Sequence, residues 1–177
     1  MRVYDVKGSF ARMAWYVKKG GAWQRVGEAS RVNVGRNGVG KEREGDGKTP
    51  SGVYPLEDVY GYGRVATRMP FFLATPSIVC VDDPGSRYYN RIVDADRVVK
   101  DYGSFEKMRR DDPLYATVVT VGYNPRRVPG KGSCIFLHVA NGTKPTAGCV
   151  AMPAETLRRL VGWLDPKARP LLVVEER

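Results

Sequence analysis

A chain of 177 residues in which 42% are hydrophobic and 27% charged fits one globular domain, residues 1–177, and excludes a disorder-dominated protein. Its 20 Gly and 12 Pro follow no Gly-X-Y period, which excludes collagen and indicates many tight turns. A net charge of +10 favours anionic partners, whether nucleic acid, an acidic membrane or a cell-wall polymer rich in carboxylates, and equally suits a solvated basic surface. The basic residues are spread along the chain and form no zinc-finger, basic-zipper or RNA-recognition pattern, so no nucleic acid is expected as partner. No apolar run approaches the roughly 18 residues of a membrane span. The N-terminal MRVYDVKGSFARMAWYV lacks an apolar core followed by a small-residue cleavage site, so no secretory signal is read there.

In chain order, Arg12–Val17 and Ala22–Val26 read as short strands around a Lys18-Lys19-Gly20-Gly21 hairpin turn, with a further strand over Arg31–Gly35. The breaker-rich GRNGVGKEREGDGKTPSG reads as an extended loop. Apolar runs at Phe71–Leu73 and Ile78–Val81 precede a polar loop, DDPGSRYYNR, and a charged segment that predicts a short helix around Ser104–Arg110. Ala116–Val121 and Ser133–Val139 are the best strands, rich in β-branched and aromatic residues. A helix opens at Pro153, with Glu155 in its first turn and Leu157, Leu160, Val161 and Leu164 on one face, and ends before Pro166. A last strand spans Leu171–Val174. The whole is a mainly β sandwich or barrel with one or two short helices.

Two tempting motifs fail. Gly47-Lys48-Thr49 resembles the end of a phosphate-binding loop, but that loop needs a glycine where Glu42 stands. Asp82-Asp83 and Asp111-Asp112 read as turn or capping residues rather than acid/base pairs, because neighbours on a strand point to opposite faces. The cysteines Cys80, Cys134 and Cys149, with one histidine, make no metal set, and no metal or cofactor is expected. Cys80 and Cys134 lie in apolar runs and read as small buried hydrophobes, with a disulfide between them as the alternative in an oxidising compartment.

His138, the only histidine, ends an apolar strand, and Cys149 follows in Pro145-Thr146-Ala147-Gly148-Cys149-Val150. A glycine before a cysteine lets the backbone turn and approach a substrate closely. Strand, tight loop and Gly-Cys would bring sulfur to imidazole, which accepts the thiol proton and holds a nucleophilic thiolate as an ion pair. Backbone amides of the turn would then hold the oxyanion of an acyl-transfer intermediate.

The run GSCIFLHVANGTKPTAGCVAMP resembles the signature of the YkuD-type L,D-transpeptidases, in which a strand-borne His precedes a Gly-Cys nucleophile. GDGKTPSGVYPL is similar to a second hallmark of the family, and DDPGSRYYNRIVD to a segment of one branch, as is the Thr-Ala-Gly-Cys motif itself. The resemblance implies a YkuD-like mixed β-sandwich with the Cys at the base of a groove, a monomer without cofactor, acting on peptidoglycan stem peptides in the periplasm or cell wall. It implies Cys149 as nucleophile, His138 as general base and Gly148 as the residue that shapes the turn and orients the imidazole. Thr146, Ala147, Arg87, Tyr89 and Asn90 would contact substrate, the loop residues among them being equally readable as a surface loop with one aromatic in the core. The acceptor would be a second stem's amine, or water, which would make a carboxypeptidase. The commonest family motif has His where Ala147 stands and Arg where Ala151 stands. Arg87, Arg91 and Arg127 are the candidates for the missing cation.

Overall fold

A computed structural model describes residues 1–176. The strands are β1 (Arg2–Lys7), β2 (Phe10–Lys19), β3 (Ala22–Asn33), β4 (Gly52–Gly61), β5 (Phe71–Leu73), β6 (Ile78–Val81), β7 (Arg91–Asp94), β8 (Phe105–Lys107), β9 (Thr117–Val121), β10 (Phe136–Val139), β11 (Val150–Met152) and β12 (Leu171–Val174), with one α-helix, α1 (Ala154–Trp163). The expected mainly β architecture is the one found.

Nine strands form one mixed sheet in the order β12-β1-β2-β3-β11-β10-β9-β4-β5. Pairing of β12 with β4, in addition to its parallel pairing with β1, bends this sheet back on itself. β6, β7 and β8 form a small second sheet. The β2–β3 hairpin turns at Gly20 and Gly21, whose positive φ values of 56° and 81° suit a tight turn that side chains with a Cβ resist.

Strand alternation separates two cores. Leu137, Val150 and Met152 face Leu157, Leu160 and Val161 of α1 in the main core. On the opposite face of the same strands, Phe136 and Cys149 pack with Cys80, Met108, Tyr115, Val118 and Cys134. Removal of the main core's apolar side chains from water supplies the principal driving force for this arrangement.

Several expectations are corrected. The segment Ser104–Arg110 is not helical: its three-residue strand β8 pairs with β6, Glu106 facing inward between the exposed Phe105 and Lys107. β1, β4, β7 and β11 were not foreseen, and β3 runs unbroken through residues read as two strands. Cys80 and Cys134 are bonded to each other, with Cα atoms 6.0 Å apart, and clamp the small sheet to the segment leading into β10. Their apolar surroundings reflect burial of the bridge rather than of two free thiols. The acidic doublets do cap turns: Asp112 accepts the Leu114 N–H, and Asp83 those of Gly85 and Gly103.

Candidate active site

The parallel register of β10 and β11 sets Leu137 opposite Val150 and His138 opposite Ala151. Phe136 therefore lies opposite Cys149, and its N–H donates to Cys149 Sγ at 3.4 Å. His138 and Cys149 emerge on one face of adjacent strands, as diagonal neighbours two residues apart in register.

The His138 ring is oriented from one side by Nδ1, 2.8 Å from the carbonyl oxygen of Val139. A carbonyl only accepts, so Nδ1 carries the proton and Nε2 is the basic nitrogen. The hydrogen bond that orients the ring thus comes from Val139, while the Gly148 N–H donates to Thr146 Oγ1 at 3.1 Å. Nor does Gly148 need a left-handed backbone. A Cβ there would lie 3.0 Å from the Lys48 carbonyl oxygen and 3.3 Å from Ile135 Cδ1, so closeness of packing demands the glycine.

Burial pushes the Cys149 thiol up to about 12, reinforced by the Glu106 carboxylate and opposed by Phe136 N–H, the Tyr115 hydroxyl and Lys41. Burial likewise lowers the pKa of His138, the Val139 carbonyl and Asp112 opposing it and Arg110 assisting. Both shifts favour the neutral pair. Desolvation of both partners therefore works against the standing thiolate–imidazolium pair that the sequence suggested. The Sγ is directed at the Cys134 carbonyl, 3.5 Å away.

Tyr115, from the 3-10 turn Pro113–Tyr115, covers this face. Its ring lies 5.1 Å from the imidazole and 5.8 Å, edge-on, from Phe136, while its hydroxyl donates to Glu106 Oε2 at 2.6 Å. On the other side, Thr146 Oγ1 donates to the Cys149 carbonyl at 2.7 Å, and so does Thr49 Oγ1 at 3.2 Å. Thr49 also accepts the Gly35 N–H. The connection from Ala140 to Ala147 loops outward, with Asn141–Pro145 and Ala147 exposed. Asn33 braces it by donating to the Gly142 and Lys144 carbonyls.

The residues expected to contact substrate divide. Thr146 and Ala147 lie just before Cys149 in the chain, with Thr146 bonded to its carbonyl. Tyr89 is buried, its hydroxyl donating to Glu44 and accepting from Gly132 N–H. Asn90 donates to the Tyr123 and Asn124 carbonyls and accepts from Cys134 N–H, so it fastens the disulfide-bearing segment. Arg87 is exposed and paired with Asp101 at 2.7 Å. A cleft of about 410 Å³ between the two sheets is lined by Glu57, Asp58, Asn90, Arg127 and Cys134, and by neither Cys149 nor His138. Tyr115, Glu106 and Lys41 went unnoticed in the sequence. Only the Asp-Pro turn before Tyr115 hinted that an aromatic was being fixed there.

Among the described residues, this mainly β domain carries one free thiol, on the same sheet face as a carbonyl-oriented imidazole, a pair of groups suited to nucleophilic chemistry. The family model of the L,D-transpeptidase catalytic domain, YkuD, matches residues 3–174, and the chain belongs to that family. The family is enzymatic and its substrate is peptidoglycan. No curated protein matches the chain.

Proposed function

We propose that this domain is a cysteine-dependent peptidoglycan L,D-transpeptidase, with Cys149 as nucleophile and His138 as general base. The observation that carries the reading is the shared sheet face of the two side chains, with Nδ1 held by the Val139 carbonyl and Nε2 left basic.

Binding of a tetrapeptide stem brings a carbonyl to Sγ. The thiol proton passes to His138 Nε2 as sulfur attacks the carbonyl carbon at the L-centre of the diamino acid. The tetrahedral intermediate collapses with cleavage of the bond to terminal D-Ala, whose nitrogen takes the proton from Nε2. An acceptor amine then attacks the thioester and gives its proton to Nε2, and the C–S bond breaks as the departing sulfur takes that proton back, leaving a cross-link between the third residues of two stems. Because both shifts favour the neutral pair, proton transfer accompanies attack rather than preceding it. Gly148 gives the turn its tight packing, and Thr146 holds the Cys149 carbonyl. Ala147 stands exposed beside them, where an acceptor would approach.

Two features support action outside the cytoplasmic membrane. The Cys80–Cys134 bond is of a kind that persists in oxidising compartments. The +10 charge suits a polyanionic wall polymer.

The test is incubation with disaccharide tetrapeptide, followed by mass spectrometry. Release of D-Ala with formation of cross-linked dimers, lost in Cys149→Ala, is the expected result. Tripeptide without dimers identifies water as the acceptor. Identical product spectra for the wild type and Cys149→Ala overturn the reading.

A further inference from the structure

One charged side chain beside the nucleophile has no part in the steps above. Lys41 is 97% buried by its side chain, which is 3% exposed, and its Nζ lies 2.8 Å from Asp46 Oδ1. Asp46 also accepts the N–H groups of Glu42, Arg43 and Lys48, and these contacts with the Lys41 ammonium hold its carboxyl well below the usual range against the opposing effect of burial. An ammonium has three donors. One meets Asp46, and no other acceptor bonds to Nζ among the described residues.

Two glycines admit this side chain. A Cβ on Gly132 would lie 2.5 Å from Lys41 Cε, and one on Gly148 would lie 3.6 Å from Lys41 Nζ. The stem thus passes Gly132, and the ammonium stops against the residue that precedes Cys149. The arginines suggested by the sequence are otherwise engaged or exposed: Arg87 pairs with Asp101, and Arg91 and Arg127 lie at the surface.

We propose that Lys41, held by Asp46, is the cation that stabilises negative charge arising at Cys149: first on sulfur as its proton moves to His138 Nε2, then on the carbonyl oxygen of the tetrahedral intermediate. The inference rests on the reading of Cys149 as nucleophile. Burying an ammonium is unfavourable unless it is paired. Here the pairing carboxylate is itself spread over three backbone N–H groups, so the field of the ammonium toward Gly148 is not fully cancelled. In a buried setting, a charge a few ångströms away outweighs any surface arginine. The other groups facing Cys149 are Glu106, which opposes thiolate formation, and the Tyr115 hydroxyl and Phe136 N–H, which favour it. Arg110 and Asp112 act on His138.

Cys149 is the only free cysteine among the described residues, so iodoacetamide reports on it alone. Labelling rates are followed by intact-mass spectrometry across neutral to alkaline pH for the wild type, Lys41→Met, Lys41→Arg and the double variant Lys41→Met/Asp46→Asn. The double variant leaves no unpaired buried carboxylate and serves if the single one fails to fold. The expected result is an alkylation rate about tenfold lower at mildly alkaline pH without the ammonium, the rise of rate with pH being displaced upward, and near-wild-type behaviour for Lys41→Arg. A folded double variant whose pH profile overlays the wild type overturns the proposal, as does a wild type that is never alkylated. D-Ala release is measured in parallel. Lys41-dependent alkylation without D-Ala release by any form keeps this proposal and sinks the peptidoglycan reading instead.

Discussion

Thr49 donates its hydroxyl hydrogen to the carbonyl oxygen of Cys149, a hundred residues further along the chain. The Thr49 hydroxyl oxygen itself accepts the Gly35 N–H at 2.9 Å, so one fully buried hydroxyl joins two elements of the site scaffold. The Gly45–Leu56 motif and the Gly132–Pro153 motif thus meet at this atom. Thr49 supports the nucleophile's backbone and belongs to the scaffold.

Thr49→Val keeps the shape and removes the hydroxyl. It leaves a buried N–H without a partner and costs about 1–3 kcal/mol of stability, read by urea unfolding. Thr49→Ser retains most of both hydrogen bonds. Equal stability for the valine variant and the wild type would contradict this role.

Gly148→Ala adds a methyl 3.0 Å from the Lys48 carbonyl, which is backbone and yields little. The nucleophile shifts, and acylation by tetrapeptide falls about tenfold or more, because small misplacements of a reacting group are expensive. Burst-phase acylation measured by intact mass checks this.

Stability against pH should show a plateau with two limbs. Cys149 has its pKa raised on folding from 9.0 to about 12, so its contribution is intact below pH 9 and is lost as pH rises toward 12. His138 has its pKa lowered from 6.5, so its contribution is intact above that value and is lost as pH falls through the folded value. Cys149→Ala should lessen the alkaline limb, leaving the part due to Tyr115, whose hydroxyl is also pushed up by burial. His138→Gln should lessen the acid limb. Melting temperatures across pH for the three proteins decide it.

Reducing the Cys80–Cys134 bond opens a loop with a sequence separation of 54. By loop-closure entropy this costs about 4 kcal/mol. Cys134 also lends its carbonyl to the Cys149 thiol, so loss of the bridge should alter Cys149 alkylation as well as stability. Denaturant titrations and labelling rates of Cys80→Ala/Cys134→Ala test both effects together.

Much of the scaffold was legible because local preference and burial agreed. The β-branched run of β9 and the apolar face of α1 needed no tertiary information. β4 was hidden because Pro55 and the bulged Glu57-Asp58 interrupt its alternation, and its pairing with both β9 and β12 supplies what the local sequence lacks. β11 is three residues long, too short for a pattern, and forms by lying beside β10. At the site, motif spacing brought Cys149 and His138 into view. Lys41, Glu106 and Tyr115 were invisible because each is delivered from a separate segment by folding of the sheets. The bias toward a neutral pair was likewise unreadable, since it depends on how completely the surroundings exclude water.

The loop of residues 140–147 joins two paired strands and is pinned at its middle by Asn33 and at its end by Thr146, while Thr49 holds the Cys149 carbonyl from outside the loop. Asn141–Pro145 stand exposed, so substitutions there change the surface without touching the buried contacts of Cys149. Rim and foundation are thereby separable by mutagenesis, the one open to recharging and the other locked by burial.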